Sequence, residues 1–303
     1  MLILIILAGS TMLLLTVLAG YVLGWANKAF HVHVDPKLEQ LQAALPGANC
    51  GGCGYVGCND YAAGVFNGEV AVNKCTVGGG ACAETLARIM GVEVQQSWPF
   101  RAVVHCGAST EQRLKRNPYQ GERTCAAANL VAGVQGCTYG CMGMGDCERS
   151  CSFDAIHVVD GLARVDYDKC TGCGACERAC PRHVITMVPF KAERMLVVAC
   201  SNKDFGKDVK AVCKVGCMGC KACERATAGL IKVTDNIPSV DYDKYDPAKF
   251  HDVEVAFTKC PMKRLVFLGR PSEKDLAAVA EQDVPVVVTP DPQTTVDKTE
   301  WHG

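Results

Sequence analysis

The sequence lacks an excess of charge of either sign, and it lacks a basic block. Its 31 lysines and arginines nearly balance 32 aspartates and glutamates, which leaves a formal net charge of −1. Proteins that bind nucleic acid usually concentrate basic residues on one face. No G-x-G-x-x-G fingerprint follows a strand either, so flavin and NAD chemistry is not expected on this chain. We therefore predict no nucleic-acid partner.

Charge is completely missing from the first long apolar run, residues 2–25, which reads LILIILAGSTMLLLTVLAGYVLGW. At ~1.5 Å per residue, a helix of this length spans the ~30 Å hydrocarbon layer with a little tilt. No lysine or arginine precedes the run, which disfavours a cleaved signal peptide. The first cations, Lys28 and Lys37, follow it, so the positive-inside rule places the carboxyl side in the cytoplasm. We predict an uncleaved single-pass anchor in the cell inner membrane, with the lipid bilayer as a partner and the amino terminus outside.

Cysteine, by contrast, is abundant, with 21 in 303 residues. The densest run is C-x2-C-x2-C-x3-C-P over residues 170–181, a spacing that binds cubane iron–sulfur clusters and sends its fourth cysteine to a neighbouring cluster. Disulfide frameworks belong mainly to secreted domains under ~80 residues. Zinc sites usually pair two C-x2-C knuckles. The spacing therefore favours [4Fe-4S] clusters, which need a reducing compartment and agree with a cytoplasmic location.

The first cysteine group lies in the segment CGGCGYVGC and at one position after it. Glycines between these cysteines allow tight wrapping and direct N–H groups at cluster sulfurs, and residues 60–66 are predicted to form a short helix. A zinc site remains the alternative here, because C-x2-C alone is ambiguous. We predict one cluster bound by four thiolates, those of Cys50, Cys53, Cys58 and Cys75.

The middle of the chain has the layout of a two-cluster ferredoxin: motif, hairpin at Asp160-Gly161, motif, and a final strand VITMV. The first motif has Met144 where the middle ligand belongs, and a thioether is a poor substitute for thiolate on iron. Cys137 is the nearest upstream candidate to replace it. One predicted cluster uses Cys151, Cys170, Cys173 and Cys176, and the other uses Cys137, Cys141, Cys147 and Cys180.

A second copy of this unit follows. GLIKVTDNIPSVDYDK at residues 229–244 matches DAIHVVDGLARVDYDK at residues 154–169 position by position, which indicates duplication. The copy has no cysteine between Tyr245 and Lys259, and Thr227 replaces the fourth ligand of the missing cluster. We therefore predict a single cluster in this copy, bound by Cys217, Cys220, Cys223 and Cys260.

Five cysteines have no assigned role, and packing is the default for each of them because free cysteine is among the most buried residue types. A fifth cluster from four of them is left open, since no spacing rule joins them, and Cys213 is also able to displace a ligand of the repeat cluster. His31, His33 and His105 are predicted to be surface or junction residues rather than ligands. The five cysteines are Cys82, Cys106, Cys125, Cys200 and Cys213, and the open set omits Cys82.

The predicted fold class is α+β, with one amino-terminal transmembrane helix, a small iron–sulfur domain and tandem ferredoxin-like (βαβ-type) domains, the second degenerate. The predicted domains are 1–27 anchor, 28–95 iron–sulfur domain, 96–135 connecting region, 136–190 two-cluster ferredoxin domain, 191–270 degenerate repeat and 271–303 flexible tail.

These features together resemble the RnfB family, which supplies one component of the Rnf complexes, over nearly the whole chain to about residue 265. The resemblance rests on the amino-terminal helix, the CGGCGYVGC group, the motif GCMGMGDCERSCSFDAI and the second ferredoxin copy. It implies a component of an ion-translocating oxidoreductase, a translocase that moves electrons between ferredoxin and NAD with Na+ or H+ translocation. The implied partners are soluble ferredoxin and the other membrane and peripheral subunits. A polyferredoxin of another oxidoreductase and a structural zinc scaffold remain the alternatives.

Overall fold

The structure is a computed structural model that describes residues 2–30, 35–94, 98–247 and 250–269. His31, His33 and the predicted tail 271–303 lie outside the described residues.

The first element is the long helix α1 (Leu2–Ala29), which forms where the sequence lacks charge. Residues Ile6–Ala29 have a mean hydropathy of 2.0 over 24 residues, and no other helix of the described chain is long and apolar enough to cross a membrane. Their side chains face away from the rest of the protein. The apolar run is thus a helix suited to a bilayer rather than part of a core.

The amino-terminal domain consists of three helices around a small core. Asp35 caps α2 by accepting a 2.8 Å hydrogen bond from the Lys37 backbone N–H, an arrangement that satisfies an otherwise unpaired donor. Leu41, Tyr61 and Leu86 are fully buried where the helices meet. The helix predicted over 60–66 is confirmed. The helices are α2 (Pro36–Ala44), α3 (Cys58–Phe66) and α4 (Gly79–Met90).

The first ferredoxin unit has a strand, a hairpin and a final strand, with short helices at the cysteine motifs. Its elements are β1 (Phe100–Val104), α5 (Cys125–Asn129), α6 (Asp146–Arg149), β2 (Ile156–Val159), β3 (Leu162–Val165), α7 (Ala175–Ala179) and β4 (Ile185–Pro189). The predicted connecting region 96–135 therefore contributes a strand to this unit, because β1 pairs antiparallel with β4 from Phe100–Pro189 to Val104–Ile185.

The second unit repeats this order. Its elements are β5 (Arg194–Val198), α8 (Gly206–Val212), α9 (Ala222–Ala226), β6 (Ile231–Thr234), β7 (Ile237–Val240), α10 (Phe250–Thr258) and β8 (Leu265–Gly269). β5 pairs with β8 just as β1 pairs with β4.

The predicted βαβ detail is wrong for the described residues. A βαβ unit joins parallel strands, whereas all four strand pairs here are antiparallel: β1–β4, β2–β3, β5–β8 and β6–β7.

Both hairpins turn through two residues with positive φ. Asp160 and Gly161 have φ values of 50° and 73°, and Asp235 and Asn236 have 50° and 62°. Such turns match the twist of the flanking strands. The predicted Asp-Gly hairpin is confirmed, and its copy folds in the same way.

The two units are joined by backbone pairing outside their sheets. An isolated antiparallel bridge links Arg113 to Cys213. On either side of it, Leu114 N–H donates to Val212 O at 2.9 Å, and Lys214 N–H donates to Gln112 O at 2.9 Å. His105 lies at the same junction, with Nδ1 2.8 Å from Val198 O and Nε2 2.7 Å from Thr186 Oγ1. This pairing brings distant cysteines together between the units.

Candidate metal centres

All 21 cysteines are free thiols, and 20 of them are buried or half-buried; Cys220 is exposed. Among the described residues, no three Cys, His, Asp or Glu side chains are arranged to hold a single metal ion. The thiols instead line cavities, as a larger inorganic group requires. A donor set made only of soft thiolates suits iron–sulfur clusters.

Site A is defined by Cys50, Cys53, Cys58 and Cys75, and all four line one cavity of about 330 Å³. Cys58 begins α3, and its backbone N–H donates to Asn49 Oδ1 at 2.8 Å, which closes the loop before it. Gly78 N–H donates to Cys75 Sγ at 3.4 Å. The structure therefore brings the first predicted set together.

Cys82 also lies beside site A but is not needed to complete it. Its side-chain hydrogen bond to Cys75 is the main cause that lowers the pKa of the Cys75 thiol, and its Sγ lies 3.5 Å from Ala44 O. Cys82 is 8% exposed. It is a buried neighbour of the site rather than one of the four thiols that line the cavity.

Site B is defined by Cys151, Cys170, Cys173 and Cys176, which line a second cavity of about 330 Å³. Ala155 N–H donates to Cys151 Sγ at 3.4 Å. Site B lies against site A, because a Cβ built on Gly52 would come within 3.0 Å of Cys173 Cα and O. Cys50 and Cys173 are close enough that each thiolate would raise the pKa of the other.

Site C lies around Met144, where the sequence lacks a ligand. The Met144 backbone N–H donates to Cys125 Sγ, so Cys125 occupies the space that a thiolate at position 144 would fill. Asp146 holds Cys125 there, since its carboxylate accepts from the backbone N–H groups of Cys125 and Ala126 at 2.9 Å each. The Cys125 thiol also feels Cys180, and the Cys147 thiol feels Cys141, Cys125 and Cys180.

Cys137, which spacing assigned to this set, lies elsewhere. It lines a different cavity together with Cys106, Cys200 and Cys213. The physical reason is the insertion between β1 and the first motif, whose helix α5 brings Cys125 to Met144 and leaves Cys137 directed at the second unit. We define site C as Cys125, Cys141, Cys147 and Cys180.

Site D comprises the four cysteines predicted for the repeat: Cys217, Cys220, Cys223 and Cys260. The pKa of the Cys223 thiol is raised to about 11, mainly by burial and further by Cys217 and Cys260. Arg264 N–H donates to Cys260 Sγ at 3.3 Å, as Ala155 N–H does to Cys151 in the first unit. The structure brings this set together around an exposed Cys220.

Burial makes these thiols hard to ionise without a cation. It raises the pKa of Cys176 to about 12, and those of Cys141 and Cys200 to about 11. Thiolates are the species that bind metal, and a bound cation deprotonates them. The buried thiol groups therefore fit a cationic inorganic partner better than they fit water.

The comparisons with known proteins agree with this geometry. Residues 45–77 match the family described as "Putative Fe-S cluster", and residues 163–186 match "4Fe-4S binding domain". The first segment covers site A, and the second covers most of the ligands of site B.

Long stretches of the chain are similar to curated proteins, all of them RnfB-type subunits. The chain is 40% identical over 80% of its length to the one from the Na(+)-translocating ferredoxin:NAD(+) oxidoreductase complex of Acetobacterium woodii, covering 72% of that protein. It is 37% identical over 74% of its length to the one from the ion-translocating oxidoreductase complex of Methanosarcina acetivorans, covering 86%. It is 38% identical over 76% of its length to the one from the proton-translocating ferredoxin:NAD(+) oxidoreductase complex of Clostridium ljungdahlii, covering 82%.

Proposed function

The chain belongs to the RnfB family of ion-translocating oxidoreductase complexes, and we propose that it accepts electrons from reduced ferredoxin and relays them to other subunits of such a complex. At least four [4Fe-4S] clusters serve this relay, one each at sites A, B, C and D. Each cluster supplies one-electron chemistry at a potential set by hydrogen bonds and burial. The tandem units that hold sites B, C and D are duplicated ferredoxin-like domains.

One observation carries the proposal: thiols of successive sites adjoin one another. Cys50 of site A adjoins Cys173 of site B. Cys176 of site B adjoins Cys147 of site C, close enough to raise its pKa. A protein that used these cysteines only as structural staples would have no need to place the sites in a row. Short gaps between redox centres are what electron passage requires.

The anchor sets the geometry of the relay. Helix α1 spans the inner membrane once, with Lys28 and Lys37 on the cytoplasmic side, so that sites A to D face the cytoplasm. Ion translocation then belongs to other subunits, because no ionisable residue occurs between Leu2 and Trp25. The exposed Cys220 leaves site D open to a docking partner.

Stopped-flow mixing tests the proposed donor. The oxidised, detergent-solubilised full chain is mixed without oxygen with reduced bacterial ferredoxin, and the visible absorbance of the clusters is followed. We expect bleaching that accounts for about one electron per cluster. Bleaching by dithionite but not by ferredoxin would show that the clusters exist and that the donor is a different protein.

A further inference from the structure

We infer that Cys106, Cys137, Cys200 and Cys213 hold a fifth [4Fe-4S] cluster at the junction between the two ferredoxin units. This inference rests on the proposed electron relay and adds a site that no spacing motif contains. The four cysteines are called the junction site below. They line one cavity, although 107 positions separate Cys106 from Cys213 in the sequence.

The junction site consists of two equivalent pairs from the duplicated units. Cys106 follows β1 in the segment VVHC, and Cys200 follows β5 in the segment VVAC. Cys137 and Cys213 each stand four residues before the first motif cysteine of their unit, Cys141 and Cys217. Each unit therefore contributes the same two positions, and the site is built by pairing the copies. Scattered buried cysteines would not be expected to share such equivalence.

The cavity has the size of the other cluster sites. It encloses about 370 Å³, against about 330 Å³ at each of sites A and B. Gly140 lies between two of the thiols: a Cβ built on it would lie 3.3 Å from Cys137 Sγ and 3.6 Å from Cys106 Sγ. In the other unit, a Cβ on the equivalent Gly216 would lie 3.7 Å from Cys213 Sγ. Glycine at both positions keeps the backbone close to the site.

Hydrogen-bond donors already point at three of the thiols. Cys217 N–H donates to Cys200 Sγ at 3.2 Å, and Asn202 Nδ2 donates to Cys137 Sγ at 3.5 Å. Cys213 accepts from the Val215 backbone N–H. Donors of this kind stabilise ionised sulfur and tune cluster potentials.

Positive charge completes the fit. Arg113 and Arg264 both line the cavity. Arg113 is 5% exposed, and its Nη1 is buried without a hydrogen-bond partner among the described residues. An unpaired buried guanidinium nitrogen is costly. A cluster with four thiolate ligands would give it an acceptor and offset its charge.

The position of the junction site explains how site D joins the relay. Cys141 of site C adjoins Cys106, close enough for the pKa of Cys141 to be raised by it. On the other side, the backbone of Cys217 of site D donates to Cys200. The junction site thus lies between sites C and D, and the order of sites along the protein is A, B, C, junction, D.

Paired alanine substitutions test the inference through metal content. The full chain is purified anaerobically, and iron, sulfide and the EPR signals of the reduced protein are measured. Cys106→Ala, Cys200→Ala and Cys213→Ala should each remove about four irons and four sulfides, and the double variant Cys106→Ala/Cys213→Ala should remove no more than either single variant. A three-iron cluster with its own EPR signal counts as the same loss, because one ligand has gone.

Double variants with Cys180 separate the junction site from site C. Cys125→Ala/Cys180→Ala should remove one cluster, whereas Cys137→Ala/Cys180→Ala should remove two. Cys82→Ala is the matched control, a buried cysteine beside a site, and should keep all the iron. Full iron content in the three single variants, zinc in the junction site, or the loss of only one cluster in Cys137→Ala/Cys180→Ala would overturn the inference. Wild-type protein without iron and sulfide would instead defeat the proposed function itself.

Discussion

Alanine at Cys176 is expected to reduce ferredoxin-dependent NAD reduction by the assembled complex to the background of a preparation lacking this protein. Cys176 is 9% exposed and lies among the four thiols of site B. Site B separates site A from site C: Cys173 adjoins Cys50, and Cys176 adjoins Cys147. Loss of its cluster would leave site A without a neighbour in the relay.

The measurement pairs the rate with the EPR spectrum of the same sample. The variant should lack one cluster and keep the signals of the others, which shows that the chain is folded and assembled. Normal NAD reduction by a complex that lacks the site B cluster would place this site outside the route. Loss of all signals would be misfolding, and Cys176→Ser, which retains a weak ligand, would then replace alanine in the assay.

Anaerobic removal of iron is expected to unfold the first ferredoxin unit while leaving part of the second protected. Of the buried residues in the core of the first unit, Cys141, Cys147 and Cys176 are themselves cluster ligands, and its largest apolar members are Ile156, Leu162 and Ile185. Structural metal binding is worth about 10–16 kcal/mol in zinc-finger peptides, and whole domains are stable by only about 5–15 kcal/mol. Loss of the metal therefore removes a contribution as large as the total.

The second unit has a larger apolar core of its own. Met195, Leu196 and Phe267 are almost fully buried across the β5–β8 pair, and the Arg194 guanidinium lies 4.7 Å from the centroid of the Phe267 ring. Hydrogen exchange after chelation should show lost protection in β2–β3 and retained protection in β5 and β8. Equal protection in both hairpin and core strands, before and after chelation, would contradict a metal-dependent core.

Much of the architecture is readable from the sequence because local patterns determine it. The C-x2-C spacings, the Asp160-Gly161 turn and the copied hairpin each depend on residues within a few positions of one another. Such signals predicted sites A, B and D and the strands around them.

The remaining sites depend on contacts between distant segments. Cys125 reaches Met144 through Asp146, 21 residues further along the chain, and no spacing rule encodes that approach. Cys213 reaches Cys106 through pairing of Arg113 with Cys213. The repeated segments VVHC and VVAC were a usable signal, but their significance depends on β1 and β5 being equivalent strands. Strand β1 itself was missed because its partner, β4, lies more than 80 residues later.

The most direct measurement of the central claim is the iron and acid-labile sulfide content of the full chain purified without oxygen. Four clusters at sites A to D predict about 16 irons and 16 sulfides per chain, and the junction site raises both numbers to about 20. A protein that binds zinc, or that contains no sulfide and forms disulfides among these cysteines, would contradict the account.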